Sequence, residues 1–438
     1  MTTDEPTAAV DERSRDALAS RGLEPRIVPA GDAAAVDAWL ETVARGFLEP
    51  EPTAETLEAL RERNPARRMT GVFDPDGVVP ERPIATISSW TTELTVPGGA
   101  TIPSRAISNV TVAPTHRRRG IARAMMEGEL RDAVAAGLPM ASLTVTESTL
   151  YGRYGFGPAA DSVAWRIDTR RAGWSGPEPG GRLDFVPRDR LRALAPEVHE
   201  RARRAWPGEV VVPPGQWDSF AGTRPDEKDA SAVRGVQYAD AAGVVRGVLA
   251  YRVKENPDDF TRSTAIVSYL VADGDDAYAA LWRFVLGLDA IAEVRATELS
   301  VAEPVRWMIA DQRAATMTVK EHHYLRILDV PAVLAARAYG GPGALALEVS
   351  DPLGLAGGRW ILRVGEDGRG ETGPWPAGEA PPADAVVVTV GIAELSALYL
   401  GSVSFATLAA AGRAGASDVA AASRILGWHV PARLSFWY

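Results

Sequence analysis

The sequence predicts a mixed α/β (α+β) protein built as three successive units, and three observations carry that expectation. A length of 438 residues exceeds what one core usually serves, since domains run to about 100–200 residues each. Stretches rich in Val, Ile and Thr alternate with segments whose apolar residues recur at helical spacing. A Gly/Pro-rich stretch, residues 173–181, can sustain neither helix nor ladder and predicts a linker between the first two units.

Taken in order, residues 1–25 carry many charges and few large apolar side chains, which predicts a flexible N-terminal extension with at most a short helix. From Gly31, the positions Ala35, Trp39, Leu40, Val43 and Phe47 fall on one helical face, with Asp32 placed to cap it. Residues 69–73, 83–96 and 106–112 read as strands, the last with Ile107, Val110 and Val112, and Pro114 ends the run. Residues 117–136 then read as a helix, because Met126, Leu130 and Val134 recur at i+4 and Gly137 stops it. A strand over 140–145, a turn or helix start over 148–152 and a strand over 156–167 complete the first unit, 26–172. The second unit, 182–324, repeats a strand, strand, helix order (244–253, 265–271, 278–288) without a basic glycine loop. The third, 325–438, begins around Leu325, with helices over 332–339, 392–400 and 417–425 and strands over 345–349, 360–364 and 385–390.

Composition narrows the function. With 46% hydrophobic and 24% charged residues the chain can bury real cores. The absence of cysteine removes disulfides, thiolate metal sites and any cysteine nucleophile. Lys plus Arg at 47 against Asp plus Glu at 57 gives 47 − 57 = −10, a balance that disfavours nucleic acid and favours cationic partners. The acidic start Met-Thr-Thr-Asp-Glu lacks the basic and apolar regions of a leader peptide, which predicts a cytoplasmic protein. The apolar tract 405–411 is short and broken by Gly412 and Arg413, so no membrane partner is expected.

The chemistry concentrates in Val110-Thr111-Val112-Ala-Pro-Thr-His-Arg117-Arg118-Arg119-Gly120-Ile121-Ala122-Arg123. A strand ends there, and three arginines with a glycine lead into a helix whose first amides have no intrahelical partner, an arrangement suited to a pyrophosphate. The glycine lets the backbone approach closely and Ala122 keeps the next turn small. Neither the Gly-x4-Gly-Lys loop nor the Gly-x-Gly-x-x-Gly fingerprint is present.

After that strand, Arg117-x-x-Gly120-x-Ala122 resembles the Arg/Gln-x-x-Gly-x-Gly/Ala signature of GNAT acetyltransferases. Further on, Thr146-Glu147-Ser-Thr-Leu-Tyr151-Gly-Arg-Tyr-Gly-Phe-Gly is similar to the Ser-Glu-x-x-x-Tyr-Gly-Arg-Phe-Gly-Tyr-Gly segment of the Eis (enhanced intracellular survival) family. That resemblance covers almost the whole chain. It implies tandem GNAT-like domains, the second without the coenzyme loop, followed by a sterol-carrier-protein-like domain, in a homo-hexamer. It also implies acetyl-coenzyme A as co-substrate, held by Val110, Thr111, Val112, the loop Arg117 to Arg123, Thr146 and Glu147 on the next strand. Tyr151 would be the general acid and the terminal carboxylate, on Tyr438, the general base. A phenol of pKa about 10 can protonate a departing thiolate, whereas a carboxylate of about 3.5 works by orienting the amine and relaying a proton.

Ser108, Asn109 and Trp437 are expected to face the acceptor. The best-known family members carry an aromatic residue in place of Asn109 and an acidic one in place of Trp437, so this chain lacks one carboxylate anchor for a polyamine. The five histidines, His116, His199, His322, His323 and His429, show no metal-ligand spacing, and no metal is expected. Asp258-Asp259 and Asp275-Asp276 read as solvated loops. The expected activity is acetyl transfer to a primary amine of a small cationic acceptor, aminoglycoside-like or polyamine. The alternatives are a protein-lysine acetyltransferase, or a carrier whose third domain binds an apolar ligand.

Overall fold

The computed structural model describes residues 9–63, 67–224, 226–227 and 229–438. Twelve strands form one continuous sheet: β1 Glu24–Val28, β2 Arg68–Phe73, β3 Ala85–Thr95, β4 Thr101–Val112, β5 Met140–Thr144, β6 Gly157–Asp168, β7 Arg182–Val186, β8 Arg234–Ala239, β9 Val245–Lys254, β10 Ser263–Ala272, β11 Ile291–Leu299 and β12 Ala315–Ile327. Their spatial order is β1-β2-β3-β4-β5-β12-β6-β11-β10-β9-β8-β7. The two halves therefore mirror one another about the antiparallel β12–β6 pair. Each half borrows its sixth strand from the other: β12 pairs with β5 from His323↔Thr144 to Ile327↔Met140, and β6 pairs with β11 from Asp168↔Glu293 to Val163↔Leu299, with an irregularity after Trp165↔Ala296.

This exchange corrects the expectation of units contiguous in sequence. Leu325 lies inside β12, where it is fully buried, so the third unit starts only after Ile327. That unit is a five-stranded sheet of β13 Gly343–Ser350, β14 Gly358–Val364, β15 Gly370–Pro374, β16 Ala385–Gly391 and β17 Ala414–Ala416, ordered β15-β14-β13-β16-β17. The helix Ile392–Leu398 carries it onto the large sheet, and the contact is tight. A Cβ on Gly157 would lie 1.9 Å from the Ala393 carbonyl oxygen, so this last glycine of the Tyr-Gly-Arg-Tyr-Gly-Phe-Gly segment is required by packing.

Four helices matter for the site: α1 Glu12–Ala19, α2 Ala33–Gly46, α3 Ala54–Arg63 and α4 Ile121–Ala135. In α2 the Asp32 side chain accepts from the Ala35 amide, Trp39 and Leu40 are buried as the spacing predicts, Ala35 and Val43 are half-buried, and Val36, outside the expected face, is buried as well. Phe47, expected on the same face, is the exposed residue that closes the helix.

Residues 9–25 are not a loose extension. Asp11 caps α1, Leu18 and Leu23 are buried, and the Ser14 hydroxyl donates to the Ala124 carbonyl on α4 at 2.5 Å. The Arg131 guanidinium donates to Asp11 at 2.6 Å. Residues 1–8 of the expected extension lie outside the described residues. Among the described residues no helix is long and apolar enough to cross a membrane.

Candidate active site

The parallel neighbours β4 and β5 pair only from Arg105↔Ala141 to Ile107↔Leu143, so beyond Ile107 the two strands diverge. A bulge sets the divergence. Thr86 faces Thr111 and Ser88 faces Ser108, which leaves Asn109 and Val110 together opposite Ile87. Asn109 takes the strained φ of 54°, and its side-chain amide donates to the Ser88 hydroxyl at 3.1 Å. The β5-facing edge of Ser108, Asn109, Val110, Thr111 and Val112 is thereby left without a strand partner.

The basic tract does not open the helix, as its spacing predicted. Arg117, Arg118, Arg119 and Gly120 form an exposed loop between the 3-10 turn Pro114–His116 and α4, with φ of 63° at Arg118 and 74° at Gly120. Arginine is a good helix former, so composition gave no warning of this turn. Among the described residues the amides of Ile121, Ala122 and Arg123, the first three of α4, make no hydrogen bond, and the buried Ile121 anchors the start of that helix. His116 fixes the loop's entrance through Nε2 to Asp74 at 3.0 Å, a contact that also holds the Asp74 carboxyl below the usual carboxylate range. Thr146 and Glu147 lie in the exposed loop that follows β5 rather than on the strand itself. The donor set fits a pyrophosphate: free amides at a helix start, exposed cations, and no Cβ at Gly120.

In the second half, β10 likewise outruns its parallel partner β11, which it pairs only as far as Val267↔Ala296. The helix that follows, Asp275–Leu286, starts with two acids where α4 follows three arginines, and the Asp276 carboxylate accepts from the Gly180 amide. Repulsion makes that end unsuited to a phosphate.

Tyr151 precedes the 3-10 turn Gly152–Tyr154 and, like the half-buried Val110 and Val112, packs against the core cluster that includes Ile107, Leu143 and Phe156, with its ring edge-on to Phe156 at 6.2 Å. Burial, then the neighbouring Tyr154 and Glu147, push its hydroxyl up to about 12. It therefore keeps its proton at neutral pH. The segment is tied down from beneath by Arg326, which donates to the Tyr154 carbonyl at 2.7 Å and forms a fully buried pair with Asp351 at 2.7 Å.

The chain end runs into the gap between the two halves. The Thr144 hydroxyl, on the last residue of β5, donates to the terminal carboxylate of Tyr438 at 2.6 Å. The Tyr438 ring meets Trp90 edge-on at 5.4 Å, and its hydroxyl donates to Ser142 at 2.8 Å. Trp437, which is 44% exposed, donates to Glu298 at 3.1 Å.

Residues not foreseen from the sequence hold this tail. Buried Glu209 pairs with Arg433 at 2.9 Å and accepts from the Ser435 hydroxyl at 3.0 Å, while Glu303 lies 3.7 Å from the same guanidinium and Trp206 lies under it at 4.0 Å. His322 Nε2 meets the Phe436 carbonyl at 3.0 Å and His323 Nε2 the Tyr438 hydroxyl at 2.9 Å. Desolvation lowers these two histidines to about 4 and about 3, so both are neutral, and His322 must donate its Nε2 proton. An adjacent His-His pair in a strand pattern was the one available signal; isolated Glu209 and Glu303 gave none. Among the described residues no group of three or more metal-ligating side chains is assembled.

Comparison with known proteins agrees with this arrangement. Residues 29–159 match the family model of a GNAT acetyltransferase domain, 208–327 that of a second GNAT acetyltransferase domain, and 330–434 that of a sterol carrier protein domain. A Streptomyces avermitilis protein named as an uncharacterized N-acetyltransferase is 38% identical over 414 residues, which are 92% of this chain and 96% of that protein. N-acetyltransferase Eis of Mycobacterium tuberculosis is 35% identical over 334 residues, 74% of this chain and 77% of its own. The crystal structure of Eis1 from Mycobacterium abscessus superposes with a TM-score of 0.77 at 27% identity, covering 95% of this chain and all of that one. A GCN5-related N-acetyltransferase from Anabaena variabilis shares the fold with a TM-score of 0.78 at 19% identity, over 95% of this chain and all of its own.

Proposed function

The chain belongs to the Eis-like family of GNAT N-acetyltransferases, and from that membership we propose direct acetyl transfer to the primary amine of a small acceptor, with Tyr151 as general acid and the Tyr438 carboxylate as general base. The observation that carries this reading is the terminal carboxylate fastened to Thr144 at the end of β5, where β4 and β5 diverge. Val110, Thr111 and Val112, the loop Arg117 to Arg123, Thr146 and Glu147 would hold acetyl-coenzyme A. The co-substrate supplies an activated acyl carbonyl and a thiolate leaving group.

The acceptor arrives as an ammonium, which the terminal carboxylate attracts, orients and relieves of a proton; Glu298, bonded to Trp437, adds negative charge nearby. The Tyr151 hydroxyl holds the proton that the departing sulfur takes. No cysteine exists to carry an acyl intermediate, which favours a one-step transfer. Glu209, Arg433, His322 and His323 act as positioning residues, since each holds the tail that ends in the carboxylate. The sequence-level expectation of a cationic acceptor, aminoglycoside-like or polyamine, belongs to this reading, as do a cytoplasmic homo-hexamer and the tail-presenting role of the third domain.

The reading is tested by thiol release from acetyl-coenzyme A with a panel of aminoglycosides, polyamines, amino acids and lysine peptides, alongside coenzyme titration by calorimetry and sedimentation for the assembly. Turnover on any primary amine supports it. Coenzyme binding without turnover on the whole panel, or no coenzyme binding at all, contradicts it.

A further inference from the structure

The region in front of the Asn109 bulge contains a cavity of about 90 Å³ between α2, α3, β2 and β4. Its wall is largely apolar, with Trp39, Leu40, Leu60 and Met69, and two arginines reach it. Arg61 is neutralised by Asp37. Arg67 is not: among the described residues no carboxylate, the chain terminus included, lies within ion-pair distance of it. Its guanidinium stacks 4.1 Å over Trp90, the same ring that meets Tyr438 edge-on at 5.4 Å. Burial, and then Arg63, pull Arg67 down only to about 10, so it stays charged at neutral pH. A desolvated cation without a counter-ion is costly, and a bound anion relieves that cost.

Size adds a second constraint. The cavity falls well below the roughly 300–1,000 Å³ of pockets that enclose drug-sized ligands, so it is too small to enclose a multi-ring aminoglycoside and suits one apolar side chain. We propose that the acceptor is a small primary amine bearing its own carboxylate and an apolar side chain, an apolar amino acid, with Arg67 binding the carboxylate. This rests on the acetyl-transfer reading above and replaces its polyamine acceptor. The bond formed is amine nitrogen to acetyl carbon and the bond broken is carbon to sulfur. Of the two ammonium protons lost, one balances the thiol and one is released to solvent.

The test compares matched amines on the full chain by thiol release: phenylalanine against phenethylamine and leucine against 3-methylbutylamine, with spermidine alongside. The expected result is a kcat/KM at least about tenfold higher for each amino acid than for its decarboxylated partner. Arg67→Gln should lower only the amino-acid values, by about ten- to a hundredfold and chiefly through KM, with Arg67→Lys restoring part of the loss. Should Arg67→Gln fail to fold, calorimetry on the unaltered protein with N-acetylphenylalanine and N-acetylphenethylamine serves instead, the first expected to bind tighter. Equal turnover of both partners, equal loss in Arg67→Gln, or preference for spermidine overturns the proposal while leaving acetyl transfer standing. No turnover on any amine overturns both.

Discussion

Acidification should destabilise the fold through its chain end, because two buried neutral histidines hold that end. His322 and His323 have pKa values lowered by desolvation to about 4 and about 3, against about 6.5 in an unfolded chain. The sign follows from linkage. Below about pH 6.5 the unfolded chain binds protons that the folded one refuses, so stability falls as pH drops, until the folded values are reached. Between pH 7 and pH 5 each histidine contributes a loss of about 2 kcal/mol, and the pair about 4 kcal/mol. His199, also lowered by burial, shifts every variant alike and cancels from a comparison. Urea unfolding of the unaltered chain, His322→Gln, His323→Gln and the double variant at both pH values reads the difference directly. The unaltered chain should lose about 4 kcal/mol more than the double variant, and each single variant should fall between. An equal pH effect in all four would refute the assignment of neutral, buried imidazoles at the tail.

Three further outcomes follow from the packing. Arg433→Met strands Glu209 and Glu303, which should cost about 3–5 kcal/mol in urea unfolding and abolish acetyl transfer while calorimetry shows coenzyme affinity unchanged. Gly120→Ala forces a side chain onto a φ of 74°; a stability loss of about 1–2 kcal/mol should accompany weaker coenzyme binding with the amine KM unaltered. Leu18→Ala removes a fully buried side chain from α1 and should cost about 2–5 kcal/mol; no change in the urea midpoint would return residues 9–25 to a loose extension.

Local signals carried much of the architecture. The Asp32 cap and the Trp39 and Leu40 face were legible because helix caps and helical periodicity are local properties. The strand, basic loop and helix around Gly120 were legible in order, although not the loop's length, since nothing in Arg117-Arg118-Arg119 announces a positive φ at the second arginine. The exchange of β6 and β12 was invisible, because period and β-branching mark a strand without naming its partner. Helix α3 was missed for a different reason: Leu57 and Leu60 are its only large apolar residues among charges. At the site, Tyr151 and the aromatic chain end stood out by resemblance and composition. The tail's anchors come from positions as distant as Glu209, Glu303 and His322, and they acquire meaning only when the second half of the sheet folds around Arg433 and Phe436.

The central claim, a phenol and a terminal carboxylate serving acetyl transfer at the β4–β5 opening, is tested most directly by assaying Tyr151→Phe and a chain lacking Tyr438 for thiol release, with coenzyme affinity measured in parallel. The account predicts that both lose turnover and that both still bind acetyl-coenzyme A. Turnover unchanged in either variant would contradict it.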